Sequence, residues 1–188
     1  IMSDYFKNTP EIIRTGLEHV RKAIIEEGIP VTIDAAAEYY LDYHFYENFE
    51  NTEILAINGK FLLFELSFLN PPEFLNDIVF KMQAAGYIPV LAHPERYSYW
   101  VRNFDQYRQL KDRGVWLQLN INSFADEYGV PTRKTAEKMV KEGLADLLGT
   151  DFHRPQHSNS MRSALTNNTL QSFLGSSNLR NKELKPQA

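Results

Sequence analysis

Five short apolar segments alternate with helix-like segments along this chain, and this alternation is the feature that most constrains its fold. The apolar segments are predicted as strands at 31–39, 61–68, 87–94, 115–123 and 145–153. The second reads FLLFELSF, a nearly continuous apolar run that is typical of a strand buried on both faces. Strands that alternate with helices every ~25 to 30 residues indicate βα units around a parallel sheet. Right-handed crossovers then place the carboxyl ends of all five strands on one face.

Helices are predicted before, between and after these strands. The first, 9–28, has Thr9 as its N-cap and Pro10 at its first position. Four more are expected at 71–86, 103–113, 132–142 and 160–173, and residues 42–60 are expected to be a loop that ends in an Asn58-Gly59 turn. The predicted fold class is α/β, an incomplete distorted β/α barrel with mostly parallel strands. One domain is expected over 1–175, followed by a polar tail at 176–188.

Composition excludes several classes of function. The 188 residues contain 20 Lys and Arg against 24 Asp and Glu, a formal net charge of -4, which argues against a nucleic-acid partner. The absence of cysteine excludes disulfides, thiolate zinc sites and cysteine-based phosphatases, and it fits a reducing cytoplasm. No apolar run is long enough to predict a membrane span, so we expect no membrane insertion.

Polar side chains interrupt the apolar strands near their carboxyl ends. That end of a β/α barrel is the face on which active sites form. The residues placed there are Glu38, Glu65, His93, Asn120, Asn122, Asp151 and His153.

Four of these residues suggest a metal site. Glu65 lies between apolar neighbours and needs a partner for its charge: a metal ion, a core lysine or arginine, or backbone amides. A lone histidine at the position of His93 is more often a hydrogen-bonded core residue than a metal ligand. Asp151 and His153 lie two residues apart, which puts both side chains on one face of a strand, and they could bind a metal or simply each other. Their joint placement on three strand ends favours Mn, Fe or Zn.

Arg96 follows His93 by three residues in the segment AHPER. An arginine beside a metal centre can hold two oxygens of a phosphate through its planar fork. The alternative is a solvated arginine or an ion pair with Glu95.

Several segments together resemble one family. AAAEYYLD (35–42), LLFELSF (62–68), GYIPVLAHPERY (86–97), LQLNINS (117–123) and LGTDFHR (148–154) occur in the order found in the polymerase-and-histidinol-phosphatase (PHP) superfamily. More narrowly, they resemble its bacterial capsule and exopolysaccharide branch of metal-dependent tyrosine-protein phosphatases. AHPERY and the D-x-H ending are the more specific motifs.

The resemblance implies a PHP-type barrel and a trinuclear metal centre, often Mn with Fe, Zn or Mg as alternatives. It implies hydrolysis of phosphotyrosine on a tyrosine kinase of polysaccharide assembly. Arg96 would hold the phosphate, together with a second arginine that is either Arg154 or Arg162. The metal ligands it implies are Glu65, His93, Asp151 and His153.

The front motifs of that branch are missing from this sequence. Its members begin with an H-x-H strand, an acidic turn and a strand ending in a T-P-H-like histidine, and none of these occurs here. We therefore expect that the first two βα units are absent, that this chain turns over substrate poorly, and that an open sheet edge favours a homo-oligomer. Two other functions stay open: a small-molecule phosphoesterase of the same superfamily, and an inert binding domain.

Overall fold

One sheet of five parallel strands organises the molecule. A computed structural model describes residues 1–185. The sheet runs in chain order, every neighbouring pair is parallel, and within the described residues it does not close on itself. The predicted incomplete α/β barrel is thereby confirmed. Its strands are β1 (Glu38–Tyr40), β2 (Phe61–Glu65), β3 (Ile88–Ala92), β4 (Trp116–Asn120) and β5 (Leu147–Gly149).

Helices connect successive strands, and those between β2 and β5 confirm the predicted alternation. Short 3-10 turns follow several strands, among them Pro94–Arg96 and Ile121–Ala125. The helices are α1 (Pro10–Glu26), α2 (Tyr43–Asn48), α3 (Leu75–Ala84), α4 (Asp105–Asp112), α5 (Val130–Lys141), α6 (His157–Ala164) and α7 (Asn168–Leu174).

The sheet is covered on both faces, which explains why its strands are so apolar. Alternate residues of each strand point to opposite faces. Leu62, Phe64 and Leu117 belong to the main core against the helices. Phe61, Val90, Trp116 and Leu147 form a smaller cluster from the other residues of the same strands. A parallel sheet buried on both faces has this composition.

Two predictions at the front of the sheet are wrong. The strand expected at 31–39 is paired only over Glu38–Tyr40. In its register Glu38 faces Leu63, and β2 begins at Phe61, so residues before Ala36 have no strand to pair with. The predicted loop at 42–60 contains helix α2, whose start is capped by Asp42, because its Oδ1 accepts a hydrogen bond from the backbone of Phe45 at 2.8 Å.

The C-terminal helix prediction, 160–173, is also wrong in its continuity. Two helices, α6 and α7, occupy this region, and Asn167 between them accepts hydrogen bonds from the backbone of Thr169 and Leu170. A side chain that caps a helix start favours a break over a continuous helix. The Asn58-Gly59 turn is confirmed, since both residues have positive φ.

Beyond α7 the chain returns to the sheet. The Asn181 side chain accepts from the backbone N–H of Leu148 at 2.9 Å and donates to its carbonyl at 2.8 Å. The edge of β5 is thereby satisfied by a side-chain amide. The domain boundary at 175 stays a prediction. No helix within residues 1–185 combines the length and the apolar character needed to cross a membrane.

Candidate metal and phosphate site

Three side chains from the first three strands meet in one group. Glu38 begins β1, Glu65 ends β2, and His93 follows β3. His93 Nε2 lies 3.3 Å from Glu38 Oε1 and 3.5 Å from Glu65 Oε2. One ligand atom from each of the three residues lies within 4.8 Å of the others. Two carboxylates and an imidazole at this separation could hold a metal ion.

His93 is held in an unusual conformation. It has φ of 36° directly before Pro94, in the left-handed region that a residue with a side chain rarely adopts. It is only 3% exposed. Burial opposes a charged imidazole, but the two carboxylates outweigh this effect and raise the pKa of His93 to about 9. Strain and buried charge at one residue are typical of a functional site.

Asp151 and His153 lie on the other side of the same cavity. Asp151 also has positive φ, 48°. Its Oδ2 accepts from Arg96 Nη1 at 3.0 Å and from Asn120 Nδ2 at 2.9 Å, and its Oδ1 lies 3.0 Å from His153 Nδ1. The His153 side chain is 72% exposed. Asp151 and His153 line the cavity with the first three side chains but are not within the 4.8 Å group.

Arg96 lines the same cavity as both groups of ligand candidates. Its guanidinium is 4.8 Å from the Phe68 ring centre and 4.2 Å from that of Tyr128. Two aromatic faces therefore restrict the plane of the guanidinium while its Nη1 donates to Asp151. Arg96 does not form the alternative ion pair with Glu95, because it pairs with Asp151 and the Glu95 carboxylate binds Asn120 and Ser123.

Glu95 fastens the turn that carries His93 and Arg96. Its Oε1 accepts from the backbone of Asn120 at 2.9 Å and from Ser123 Oγ at 2.5 Å. It is 1% exposed, and burial raises the pKa of its carboxyl. These bonds tie the Pro94–Arg96 turn to the end of β4.

The second arginine at the cavity is Arg154. It lines the cavity, whereas Arg162 does not. Arg154 Nε donates to His157 Nε2 at 3.1 Å, and His157 Nδ1 lies 3.2 Å from the carbonyl of Asp151. His157 Nδ1 also accepts a hydrogen bond from the backbone N–H of His153 at 3.3 Å. Buried His157 thus joins Arg154 to the strained turn at Asp151.

The candidate metal ligands and both arginines line one cavity of about 230 Å³. It contains the five residues singled out from sequence. The sequence predicts Glu38 on this face of the sheet but not as a metal ligand. Its position on the strand next to that of Glu65 could have indicated this role. The contribution of Phe68, Tyr128 and His157 was missed, because no local pattern distinguishes them from core residues. The residues lining the cavity are Glu38, Glu65, Phe68, His93, Arg96, Tyr128, Asp151, His153, Arg154 and His157.

Solved structures and curated proteins resemble this chain. A chain from the crystal structures of YwqE from Bacillus subtilis and CpsB from Streptococcus pneumoniae, described as unique metal-dependent tyrosine phosphatases, superposes with a TM-score of 0.81. The match has 25% identity and covers 93% of this chain and 70% of that chain. Among curated proteins, tyrosine-protein phosphatase YwqE of Bacillus subtilis is 26% identical over 79% of this chain. Tyrosine-protein phosphatase CpsB of Streptococcus pneumoniae is also 26% identical over 79%.

The match extends over most of this chain but not over most of its relatives. The chain spans 59% of the length of the curated YwqE and 63% of that of CpsB. A family model for capsular polysaccharide synthesis, CpsB/CapC, matches residues 2–177. The resemblance drawn from the sequence motifs is thereby confirmed, and the chain belongs to the CpsB/CapC family of capsular polysaccharide synthesis proteins.

Proposed function

We propose that this protein is a metal-dependent protein-tyrosine phosphatase that acts in capsule or exopolysaccharide synthesis. The observation that carries the proposal is the shared cavity. A carboxylate-imidazole group that could hold a metal ion, Glu38, Glu65 and His93, opens into the same space as Arg96 and Arg154. Metal ligands beside two arginines suit a phosphate ester better than a neutral substrate. The names of the CpsB/CapC relatives support the same activity.

The donor set fits a divalent ion of the first transition series. Carboxylate oxygens and an imidazole nitrogen suit Mn, Fe and Zn, and we propose Mn. Glu38 Oε1 is buried, and apart from its 3.3 Å contact with His93 Nε2 it has no hydrogen-bond partner among the described residues. Buried polar atoms are normally satisfied. A cation between Glu38, Glu65 and His93 would satisfy it. We propose Asp151 and His153 as ligands of a neighbouring ion in the same cavity.

Bound metal ions would lower the pKa of a coordinated water and polarise the phosphoryl group. The protein's own residues supply the rest. Arg96 offers a guanidinium whose plane is set by aromatic contacts, so its fork can hold two phosphoryl oxygens with little loss of freedom. Arg154 is held through Nε, and its terminal nitrogens make no hydrogen bond within residues 1–185. These nitrogens are the donors we propose for a further phosphate oxygen.

The proposed substrate is phosphotyrosine on a protein, specifically the tail of a tyrosine kinase of polysaccharide assembly. We propose that this protein acts in the cytoplasm. The cysteine-free composition is consistent with that compartment. A chain without cysteine also needs a route without a phosphocysteine intermediate, and metal-assisted attack by water is such a route.

The test combines metal content with ligand selectivity. The purified chain is dialysed against Mn²⁺, its metal is measured by elemental analysis, and phosphate release is followed from a phosphotyrosine peptide and from histidinol phosphate. We expect bound Mn²⁺ and slow, metal-dependent release from the peptide. Both should fall in Glu65→Gln and persist in Glu47→Gln, a control on the exposed part of α2. Preference for histidinol phosphate would support a small-molecule phosphoesterase, and absence of both bound metal and phosphate release would support an inert domain.

A further inference from the structure

Phe68 is an exposed aromatic side chain at the mouth of the candidate site. It lies three residues beyond Glu65 and lines the cavity. Its ring is stacked on that of His93, with centres 5.6 Å apart and planes at 17°, and it contacts Tyr97 at 5.6 Å. Despite these contacts and the approach of Arg96, 45% of Phe68 is exposed. Phe68 belongs to neither hydrophobic cluster, so core packing does not explain an apolar ring at the edge of a charged cavity.

We infer that Phe68 is the residue that selects aryl over alkyl phosphate esters, by stacking on the ring of the substrate. This inference rests on the proposed phosphatase function and deepens it. The Phe68 ring centre is 4.8 Å from the Arg96 guanidinium and 5.6 Å from the His93 ring. A phosphoryl group held by Arg96 next to His93, a proposed metal ligand, would therefore lie beside Phe68.

The distances suit an aromatic ester. In phosphotyrosine the ring is attached directly to the ester oxygen, so the ring must leave the cavity next to the bound phosphoryl group. Aromatic rings interact favourably when their centres lie about 4.5 to 7 Å apart. The exposed part of Phe68 offers such a surface at that exit. A phosphoserine side chain presents only a methylene group there and gains no ring contact.

Tyr128 contributes differently. Its ring lies 4.2 Å from the Arg96 guanidinium, closer than that of Phe68. Arg96 thus keeps one aromatic contact and its bond to Asp151 when Phe68 is replaced. Replacing Phe68 is therefore expected to remove the surface for the substrate ring while leaving the phosphate-binding arginine in place. This separation makes the inference testable.

The experiment measures binding as well as turnover. The Mn²⁺-loaded chain is titrated calorimetrically with phenylphosphonate and with propylphosphonate, which cannot be hydrolysed. Variants are Phe68→Leu, which keeps an apolar side chain without a ring, and Phe68→Trp, which restores a ring. Phe80→Leu is the control, because Phe80 is 68% exposed on α3 and lines a different groove. Where turnover is measurable, kcat/KM is compared for phosphotyrosine and phosphoserine peptides of one sequence.

We expect Phe68→Leu to weaken phenylphosphonate binding about tenfold, in line with the loss of one aromatic pair and its buried area. Propylphosphonate binding should change less than about twofold, since its contacts are with the metal and arginines. Phe68→Trp and Phe80→Leu should bind both ligands like the parent. Equal weakening of both ligands in Phe68→Leu, or no weakening, would overturn the stacking role alone. Failure of the parent to bind either phosphonate would overturn the proposed function as well.

Discussion

Raising the pH should weaken the metal-free protein through His93. The pKa of this imidazole is raised from 6.5 to about 9, because Glu38 and Glu65 favour its charged form more than burial opposes it. A histidine with a higher pKa in the folded state stabilises the fold fully below its unfolded pKa. The stabilisation is lost as the pH rises through the folded pKa. The window is therefore about pH 6.5 to 9.

The size of the effect follows from the same two values. A rise in the pKa of His93 from 6.5 to about 9 corresponds to roughly 3 kcal/mol of stabilisation of the folded protein, at about 1.4 kcal/mol per pH unit. His93 is buried, so solvent screening reduces this figure little. The free energy of unfolding should fall by this order across the window. Such a loss is a substantial fraction of the stability of an ordinary domain.

The assay is urea unfolding in EDTA, followed by circular dichroism at several pH values from 6 to about 9.5. The variant His93→Gln should show a shallower decline, because its side chain cannot titrate. His19→Gln, at an exposed histidine on α1, should retain the slope of the parent. Added Mn²⁺ should reverse the trend, since metal binds the neutral imidazole and displaces its proton. An equally steep decline in His93→Gln would refute the reasoning.

Three further changes should separate phosphate binding from folding. Arg96→Ala should remove roughly 2 to 4 kcal/mol of transition-state stabilisation and so lower turnover, while the Mn²⁺ content measured by elemental analysis stays near that of the parent. Equal losses of metal and turnover would contradict the proposed role of Arg96 in phosphate binding. Tyr97→Phe should cost about 1 to 3 kcal/mol of unfolding free energy in urea, because the buried N–H of Leu66, 2.9 Å from the Tyr97 hydroxyl, loses its acceptor. An unchanged urea midpoint would show that this N–H finds another partner. Asn181→Ala should speed amide exchange at Leu148 and cost about 1 kcal/mol, since both backbone groups of Leu148 lose a partner; exchange at the parent's rate would mean that this contact is not formed in solution.

Local sequence patterns predicted the strands correctly where a continuous apolar run is buried on both faces of the sheet. The apolar runs around Leu62, Leu91 and Leu117 form strands. Neighbouring residues in each run point to opposite faces of the parallel sheet, and both faces are buried. Local patterns failed where the chain has short elements. Asp42 caps the start of α2, and Asn167 caps the start of α7. Each of these helix starts depends on one capping side chain, which the average composition of its segment does not reveal.

The sequence by itself determined the parallel architecture, the face that carries the site, and the presence there of Glu65, His93, Arg96 and Asp151. These follow from strand order and from the rule that parallel strands end on one side. Only the tertiary structure decided that Glu38 joins His93 and that Arg154, rather than Arg162, reaches the cavity. The physical reason is that strand register and turn path, not residue type, set distances of a few ångströms between side chains far apart in sequence.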